Sequence, residues 1–227
     1  MRTSQNWIGG TRPGNAAFVP PPAERLAEVF GDLERFIHDT RPTLPPLVRI
    51  ALVHAQFETI HPFLDGNGRI GRLLIAALLE HWQLLPEPLL YLSGYLKARQ
   101  NDYYRHLSAI RTHGDWEAWV AFFLEGVEAS AEQAQRSIVA IAALIAADRK
   151  RVLGTGSSTL QALRLFEFLP TMPKLTVDRA QQALEVSYPT ARAAVTTLQD
   201  IGVLVETTGR ARGQSFSYQA YVNLLRA

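Results

Sequence analysis

Several residue types that can bind phosphate are concentrated in one short segment. Its sequence from residue 61 to residue 72 is HPFLDGNGRIGR. Arg69 and Arg72 lie three positions apart, so their guanidinium groups project from one face of a helix and suit a polyphosphate. Backbone N–H groups at the start of that helix, with the positive end of its dipole, can hold an anion. The residues placed to supply them are Gly66, Asn67 and Gly68.

The same segment contains a metal ligand and a base. Asp65 offers a hard carboxylate oxygen beside the anion-binding loop, as a Mg²⁺ ion bound to phosphates requires. His61 stands at the entrance to the loop, where an imidazole can accept a proton from an attacking hydroxyl near neutral pH. Together these residue types predict phosphoryl or nucleotidyl transfer. The plainer alternatives are a loop with a surface histidine and arginines, or a domain that keeps the residues without turnover.

Two other motifs overlap the segment and fail on their context. Residues 66–71 match G-x-G-x-x-G, but the dinucleotide fold needs a strand before this motif, and residues 47–59 have the period of a helix. Asp65 and Asn67 resemble the start of a Ca²⁺ loop. Positions six and twelve of that loop would be Ile70 and Ala76, where Gly and Glu are required.

The elements around the segment predict a mainly α-helical domain. A helix from residue 23 has apolar side chains on one face, and Pro46 can open a second helix. That second helix contains His54, which we expect to be a buried, hydrogen-bonded histidine. Residues 69–82 are apolar enough to predict the central buried helix. Further helices are predicted at 89–98, at 101–112 and from 115 to 153.

The first 22 residues predict a small β-hairpin flap before the helical core at 23–153. Short apolar segments at 6–8 and 17–19 are separated by Gly and Pro turn signals. The residues of the flap that could contact a partner are Trp7, Ile8, Gly9 and Gly10.

Residues 154–158 predict a linker, and residues 159–227 predict a winged helix-turn-helix domain of three helices and a two-stranded wing. DNA binding and a packing role, including a homodimer, both stay open for this domain. The net charge of only +2 gives DNA binding no general support. The candidate DNA contacts are Thr190, Arg192, Thr196, Gln199, Arg210 and Arg212.

The amino-acid composition limits the chemistry and the cellular compartment that we expect for the protein. The chain of 227 residues has no cysteine, which excludes disulfides and thiolate chemistry. It shows no secretory signal and no apolar run of membrane-spanning length. We therefore expect a cytoplasmic protein.

The segment at 61–72 resembles the motif of the Fic (filamentation induced by cAMP) family, H-x-F-x-[DE]-G-N-G-R-x-x-R, at every fixed position. The flap and the later helices are similar to those of the family, so the resemblance covers roughly residues 1–150. It implies a Mg²⁺-dependent transfer of AMP from ATP to a Ser, Thr or Tyr hydroxyl of a protein, with release of pyrophosphate.

The resemblance also implies a role for each motif position. His61 would deprotonate the target hydroxyl, Phe63 would anchor the loop, and Asp65 would hold Mg²⁺ between the α- and β-phosphates. Gly66, Asn67 and Gly68 would form the anion hole, with the Asn67 side chain on the α-phosphate. Arg69 would bind the outer phosphates with Arg72 nearby, and the flap would pair with the target backbone.

Two sequence features distinguish this protein from other branches of the family. The Doc-like branch has a lysine where this chain has Gly68 and transfers a terminal phosphate, so the glycine resembles the AMP-transferring branch. The inhibitory [ST]-x-x-x-E-[GN] signature, whose glutamate pairs with the arginine equivalent to Arg72, does not occur in the sequence. The expectation is a truncated form that is active without a release step.

Protein AMP transfer is thus the predicted function. Two alternatives stay open: a DNA-binding regulator that senses nucleotide through its Fic domain, and an enzyme that removes AMP from proteins.

Overall fold

The structure is a computed structural model that describes residues 1–85, 90–154, 160–210 and 213–226. Its residues divide into two compact units, 1–134 and 135–227, each with its own hydrophobic core. In the described part of the chain no helix is both long and apolar enough to cross a membrane.

The first unit is helical, as predicted. Pro46 occupies the first turn of its helix, where the missing N–H costs nothing. The helices of this part of the chain are α1 (Leu26–Ile37), α2 (Pro46–Ile60), α3 (Asn67–His81), α4 (Leu92–Ala98), α5 (Gln100–His113) and α6 (Trp116–Gly154), of which α6 extends past residue 134.

The most buried helix of this unit is α2, so the prediction that residues 69–82 form the central helix was wrong. Nine residues of α2 are buried, compared with five residues of α3. The apolar excess of α3 lies partly in solvent, because Leu73 is 67% exposed and Ile70 38% exposed. Trp119 of α6 is fully buried against α2 and donates its indole N–H to the Ala51 carbonyl at 2.9 Å.

The predicted hairpin flap is reduced to one antiparallel bridge between Ile8 and Phe18. The Ile8 amide donates to the Phe18 carbonyl at 2.9 Å, and the Phe18 amide donates back at 3.2 Å. A short 3₁₀ turn at Pro13–Asn15 and the prolines at 20–22 keep a longer ladder from forming. Gly10 is required at this turn, since a Cβ there would lie 2.3 Å from the Asn15 carbonyl oxygen.

The second unit combines short helices with a three-stranded antiparallel sheet, in which β3 (Ser215–Ser217) lies between β1 (Lys174–Thr176) and β2 (Val205–Glu206). Thr176 caps the helix that begins at Val177 by accepting a hydrogen bond from the Arg179 amide. Beyond α6 the elements are α7 (Leu160–Phe168), β1 (Lys174–Thr176), α8 (Val177–Leu184), α9 (Tyr188–Asp200), β2 (Val205–Glu206), β3 (Ser215–Ser217) and α10 (Gln219–Arg226).

The sequence predicted three of these helices and the two wing strands, but neither β1 nor α10. Leu175 of β1 is buried and pairs with Phe216 of β3, so the sheet has a third strand beyond the predicted wing. The linker predicted at 154–158 lies, except for Gly154, outside the described residues. The winged-helix assignment and the domain boundaries stay predictions.

Candidate active site

His61 terminates α2 in a left-handed conformation, with φ 51° and ψ 59°. This backbone region is uncommon for a residue other than glycine and costs free energy, so its surroundings must hold it. The buried Arg2 does so: its Nε donates to the His61 carbonyl at 3.0 Å, and its amide donates to the Pro62 carbonyl at 2.7 Å. The N-terminal segment therefore fixes the place where the helix turns into the loop.

Asn67 holds the other side of the loop. Its side chain accepts a hydrogen bond from the Phe63 amide at 2.9 Å and donates to the Phe63 carbonyl at 2.7 Å. The residue is only 2% exposed. In the structure its amide group closes the loop upon itself, and contact of this side chain with the α-phosphate stays a prediction. Phe63 packs against the core, with its ring 6.5 Å from that of Phe57.

Helix α3 begins at Asn67, and its first turn opens toward the loop. Gly66 precedes it with a φ of 83°, a conformation that glycine adopts without strain. Its carbonyl accepts from the amides of Arg69 and Ile70, both at 3.0 Å. Within the described part of the chain, the amides of Asn67 and Gly68 donate to no protein atom. These two N–H groups at a helix N-terminus suit an anionic ligand.

Asp65 and Arg69 extend into solvent beside this turn. The Asp65 side chain is 95% exposed and that of Arg69 is 77% exposed, and their nearest oxygen and nitrogen are 3.5 Å apart. An ion pair this exposed to solvent contributes little to stability, and both side chains are free to bind ligands. One carboxylate fits a Mg²⁺ ion held mainly by substrate phosphates and water, which is the common way proteins bind this ion.

Arg72 lies deeper than Arg69 and returns over the start of α3. A Cβ built on Gly68 would lie 3.2 Å from its Nη1, so the guanidinium lies close to the Gly68 backbone. Helical side chains lean toward the N-terminus of their helix, which explains how a residue in the second turn reaches the first. A cation is thereby placed beside the two free amides.

The environment of His61 favours a neutral imidazole. Burial lowers its pKa, the positive charges of Arg111 and Arg2 lower it further, and the nearby Glu58 backbone carbonyl opposes them. Its Nδ1 is buried without a hydrogen-bond partner among the described residues. A neutral imidazole at physiological pH is the protonation state that a general base needs.

The flap lies against the loop and against α5. Asn6 donates through Nδ2 to the Phe63 carbonyl at 3.0 Å, while Trp7 next to it stays 40% exposed. The Phe18 ring faces the Arg111 guanidinium, whose central carbon is 3.8 Å from the ring centroid. Arg111 also donates to the Glu58 carbonyl at 3.1 Å, so one side chain links the flap to the end of α2.

Sequence reasoning missed a polar cluster behind the loop. Glu58 lies on α2 one turn before His61, is 6% exposed, and has an Oε1 without a hydrogen-bond partner in the described residues. Burial raises its pKa to about 7, against the lowering effect of Arg111 and Arg72. A glutamate among the apolar residues of a buried helix was the available signal.

The histidine prediction for α2 is confirmed. His54 is fully buried, its Nδ1 lies 3.1 Å from the Gly71 carbonyl, and its Nε2 lies 3.0 Å from the Tyr103 hydroxyl. Burial lowers its pKa to about 4, so it is neutral and serves packing.

The candidate DNA contacts lie in the second unit and differ in availability. Arg192 is half-buried, donates to the Gln214 side chain at 2.8 Å and lies over the Phe216 ring. The Thr190 hydroxyl lies 2.8 Å from that of Ser187 at the start of α9. Thr196 is half-buried, Gln199 and Arg210 are exposed, and Arg212 lies outside the described residues.

Fold and site together define a helical domain whose central loop presents a half-buried histidine, free helix amides and two arginines. Comparison with known proteins agrees with this class. Residues 1–79 match the Fic/DOC family.

Curated relatives point the same way. The protein is 32% identical over 133 residues to the protein adenylyltransferase Fic of Drosophila yakuba and 30% identical to that of Drosophila melanogaster. Each match covers 56% of this chain but only 23% of the relative. The chain is also similar to the crystal structure of a Fic family protein from Desulfovibrio desulfuricans G20. That match has 28% identity and a TM-score of 0.50, and it covers 88% of this chain and 57% of the other.

Proposed function

We propose that this protein transfers AMP from ATP to a hydroxyl group of a protein and releases pyrophosphate. The observation that carries the proposal is the neutral, half-buried His61 next to two free amides at the start of α3, with Arg72 over them. The similarity to protein adenylyltransferases supports it.

The chemistry follows from where the charges develop. His61 takes the proton of the attacking hydroxyl, the hydroxyl oxygen forms a bond to the α-phosphorus, and the bond from that phosphorus to the pyrophosphate oxygen breaks. Negative charge on the phosphoryl oxygens is met by the amides of Asn67 and Gly68 and by Arg72. The exposed Arg69 is free to contact the outer phosphates.

Mg²⁺, when bound through Asp65, would neutralise phosphate charge and favour departure of pyrophosphate. Gly68 favours AMP transfer over phosphate transfer on the family resemblance. The flap around Trp7, Ile8, Gly9 and Gly10 is proposed to dock the target, because its short bridge leaves backbone edges for an added strand.

A label-transfer assay tests the proposal. The protein is incubated with Mg²⁺ and a cell lysate, once with ATP labelled at the α-phosphate and once with ATP labelled at the γ-phosphate. We expect protein-bound label from the α-position only. His61→Ala should reduce it by at least about 100-fold, the usual contribution of a general base.

The other outcomes separate the alternatives. Label from the γ-position would show a phosphotransferase and contradict the use made of Gly68. Absence of label with either ATP, although nucleotide binds, would favour a nucleotide-sensing regulator. Release of AMP from previously modified proteins would favour the reverse reaction.

A further inference from the structure

The proposed chemistry gives no role to the carboxyl group of Glu58, which is buried behind the loop. It comes from α2 and points at α3: a Cβ built on Gly71 would lie 2.6 Å from its Oε1. A Cβ built on Gly68 would lie 3.9 Å from the same oxygen and 3.2 Å from Arg72 Nη1. The carboxyl and the guanidinium therefore both border Gly68.

The two groups stop short of an ion pair among the described residues, and Oε1 has no hydrogen-bond partner there. A buried acceptor without a partner costs roughly 1 to 3 kcal/mol, so it persists only where something offsets the cost. The titratable and charged groups around the carboxyl are Arg111 and Tyr103 on α5, Arg72 on α3 and His54 on its own helix, while His61 interacts with the Glu58 backbone. Arg111 lowers the pKa of Glu58 more than Arg72 does, but Arg111 is held by the Glu58 backbone carbonyl and the Phe18 ring, whereas Arg72 is the cation beside the start of α3.

Arg72 needs such a counter-charge. Its guanidinium lies over the first turn of α3, where the positive end of the helix dipole repels a cation. Without a negative group on the buried side, the side chain would favour solvent and leave the amides of Asn67 and Gly68.

We infer that Glu58 is a positioning residue of the nucleotide site: its carboxylate holds the Arg72 guanidinium over the start of α3, ready for the phosphates of ATP. The inference rests on the proposed function, because it assigns Glu58 a role toward ATP. Glu58 itself touches no substrate.

Two effects of opposite sign make the inference testable. A carboxylate near a triphosphate repels it, so removal of the charge alone would tighten ATP binding. Removal of the positioning group would weaken it. If Glu58 acts through Arg72, the weakening of ATP binding exceeds the tightening. The weakening disappears when Arg72 is absent.

The first experiment needs no nucleotide. The side-chain carboxyl of Glu58 is titrated by ¹³C NMR in the protein labelled at glutamate, with its signal assigned from Glu58→Gln. Arg72→Met should raise the pKa of Glu58 by about 0.5 or more, since a neighbouring cation is lost. Arg69→Met, the matched control from the exposed arginine of the same motif, should leave it unchanged. An unchanged pKa in Arg72→Met would overturn the pairing.

The second experiment measures binding of α,β-methylene-ATP with Mg²⁺ by calorimetry, since this analogue cannot transfer AMP. At pH 8 Glu58→Gln should bind about five- to tenfold more weakly than the wild type. At pH 6, where Glu58 is largely protonated, the two should converge. In an Arg72→Met background the weakening should be absent. Glu80→Gln, an exposed glutamate of α3, is the charge-matched control and should bind like the wild type.

Tighter or equal binding by Glu58→Gln at pH 8 would show that the carboxyl only repels the nucleotide, and would overturn the inference. If the wild type does not bind the analogue, the proposed function fails. The NMR titration still decides in that case whether Glu58 and Arg72 are paired.

Discussion

At the scale of single residues, the buried carboxyl of Glu58 affects folding separately from its proposed role toward ATP. Its pKa of about 7 in the folded protein lies above the ordinary value of 4.5. Between these two pH values the folded state keeps a proton that the unfolded state has lost, so stability falls as pH rises through this window. Glu58→Gln cannot ionise and should be more stable than the wild type at pH 8, by about 2 to 3 kcal/mol.

Urea unfolding at several pH values checks this. The stability difference between Glu58→Gln and the wild type should shrink toward zero near pH 4.5. His54 contributes in the opposite sense, because its depressed pKa costs stability as pH falls from 6.5 toward 4, but it does so equally in both proteins. A Glu58→Gln protein less stable than the wild type at pH 8 would contradict the raised pKa.

At the scale of elements, the close approach of α2 and α3 depends on one glycine. A Cβ on Gly71 would lie 2.6 Å from Glu58 Oε1 and 3.2 Å from both His54 Cε1 and Phe57 Cδ1. Gly71→Ala should therefore push the helices apart and destabilise the fold by about 1 to 3 kcal/mol. Gly31→Ala on α1 is the control: its nearest contact is the flexible Arg35 side chain at 3.7 Å, so thermal unfolding should show a gain of about 0.5 to 1 kcal/mol. Equal effects of the two substitutions would contradict this packing.

The elements also show how far the sequence predicts this protein. Helices with a clear apolar period and proline or glycine boundaries were predicted, because local pattern decides them. Strand β1 was missed because its three residues acquire meaning only from pairing with Ser215–Ser217, far along the chain. The loop motif could be predicted because its residues are contiguous in the sequence. The residues that hold the loop in place could not be predicted, since Arg2 and Arg111 form their hydrogen bonds across 59 and 53 positions of the sequence.

At the scale of the whole molecule, the two units have separate hydrophobic cores, so a ligand bound to one unit directly stabilises that unit. The core of the first unit includes Phe57 and Trp119, and that of the second includes Phe166 and Phe216. A ligand stabilises the structure that it contacts by about 2.7 kcal/mol at a hundred times its dissociation constant, which slows exchange of the amides protected by that structure. Effects elsewhere require coupling between the units.

Hydrogen exchange measured by mass spectrometry with and without Mg²⁺ and α,β-methylene-ATP tests for such coupling. For an enzyme whose chemistry lies in the first unit, we expect slower exchange at residues 58–72 and unchanged exchange at residues 160–210. Arg72→Met should lose most of the slowing, which ties it to the phosphate site. Altered exchange in α9, the helix of Thr190 and Arg192, would instead mean that nucleotide binding is transmitted to the second unit. That result would favour the nucleotide-sensing regulator, because a sensor must change its output surface when the ligand binds.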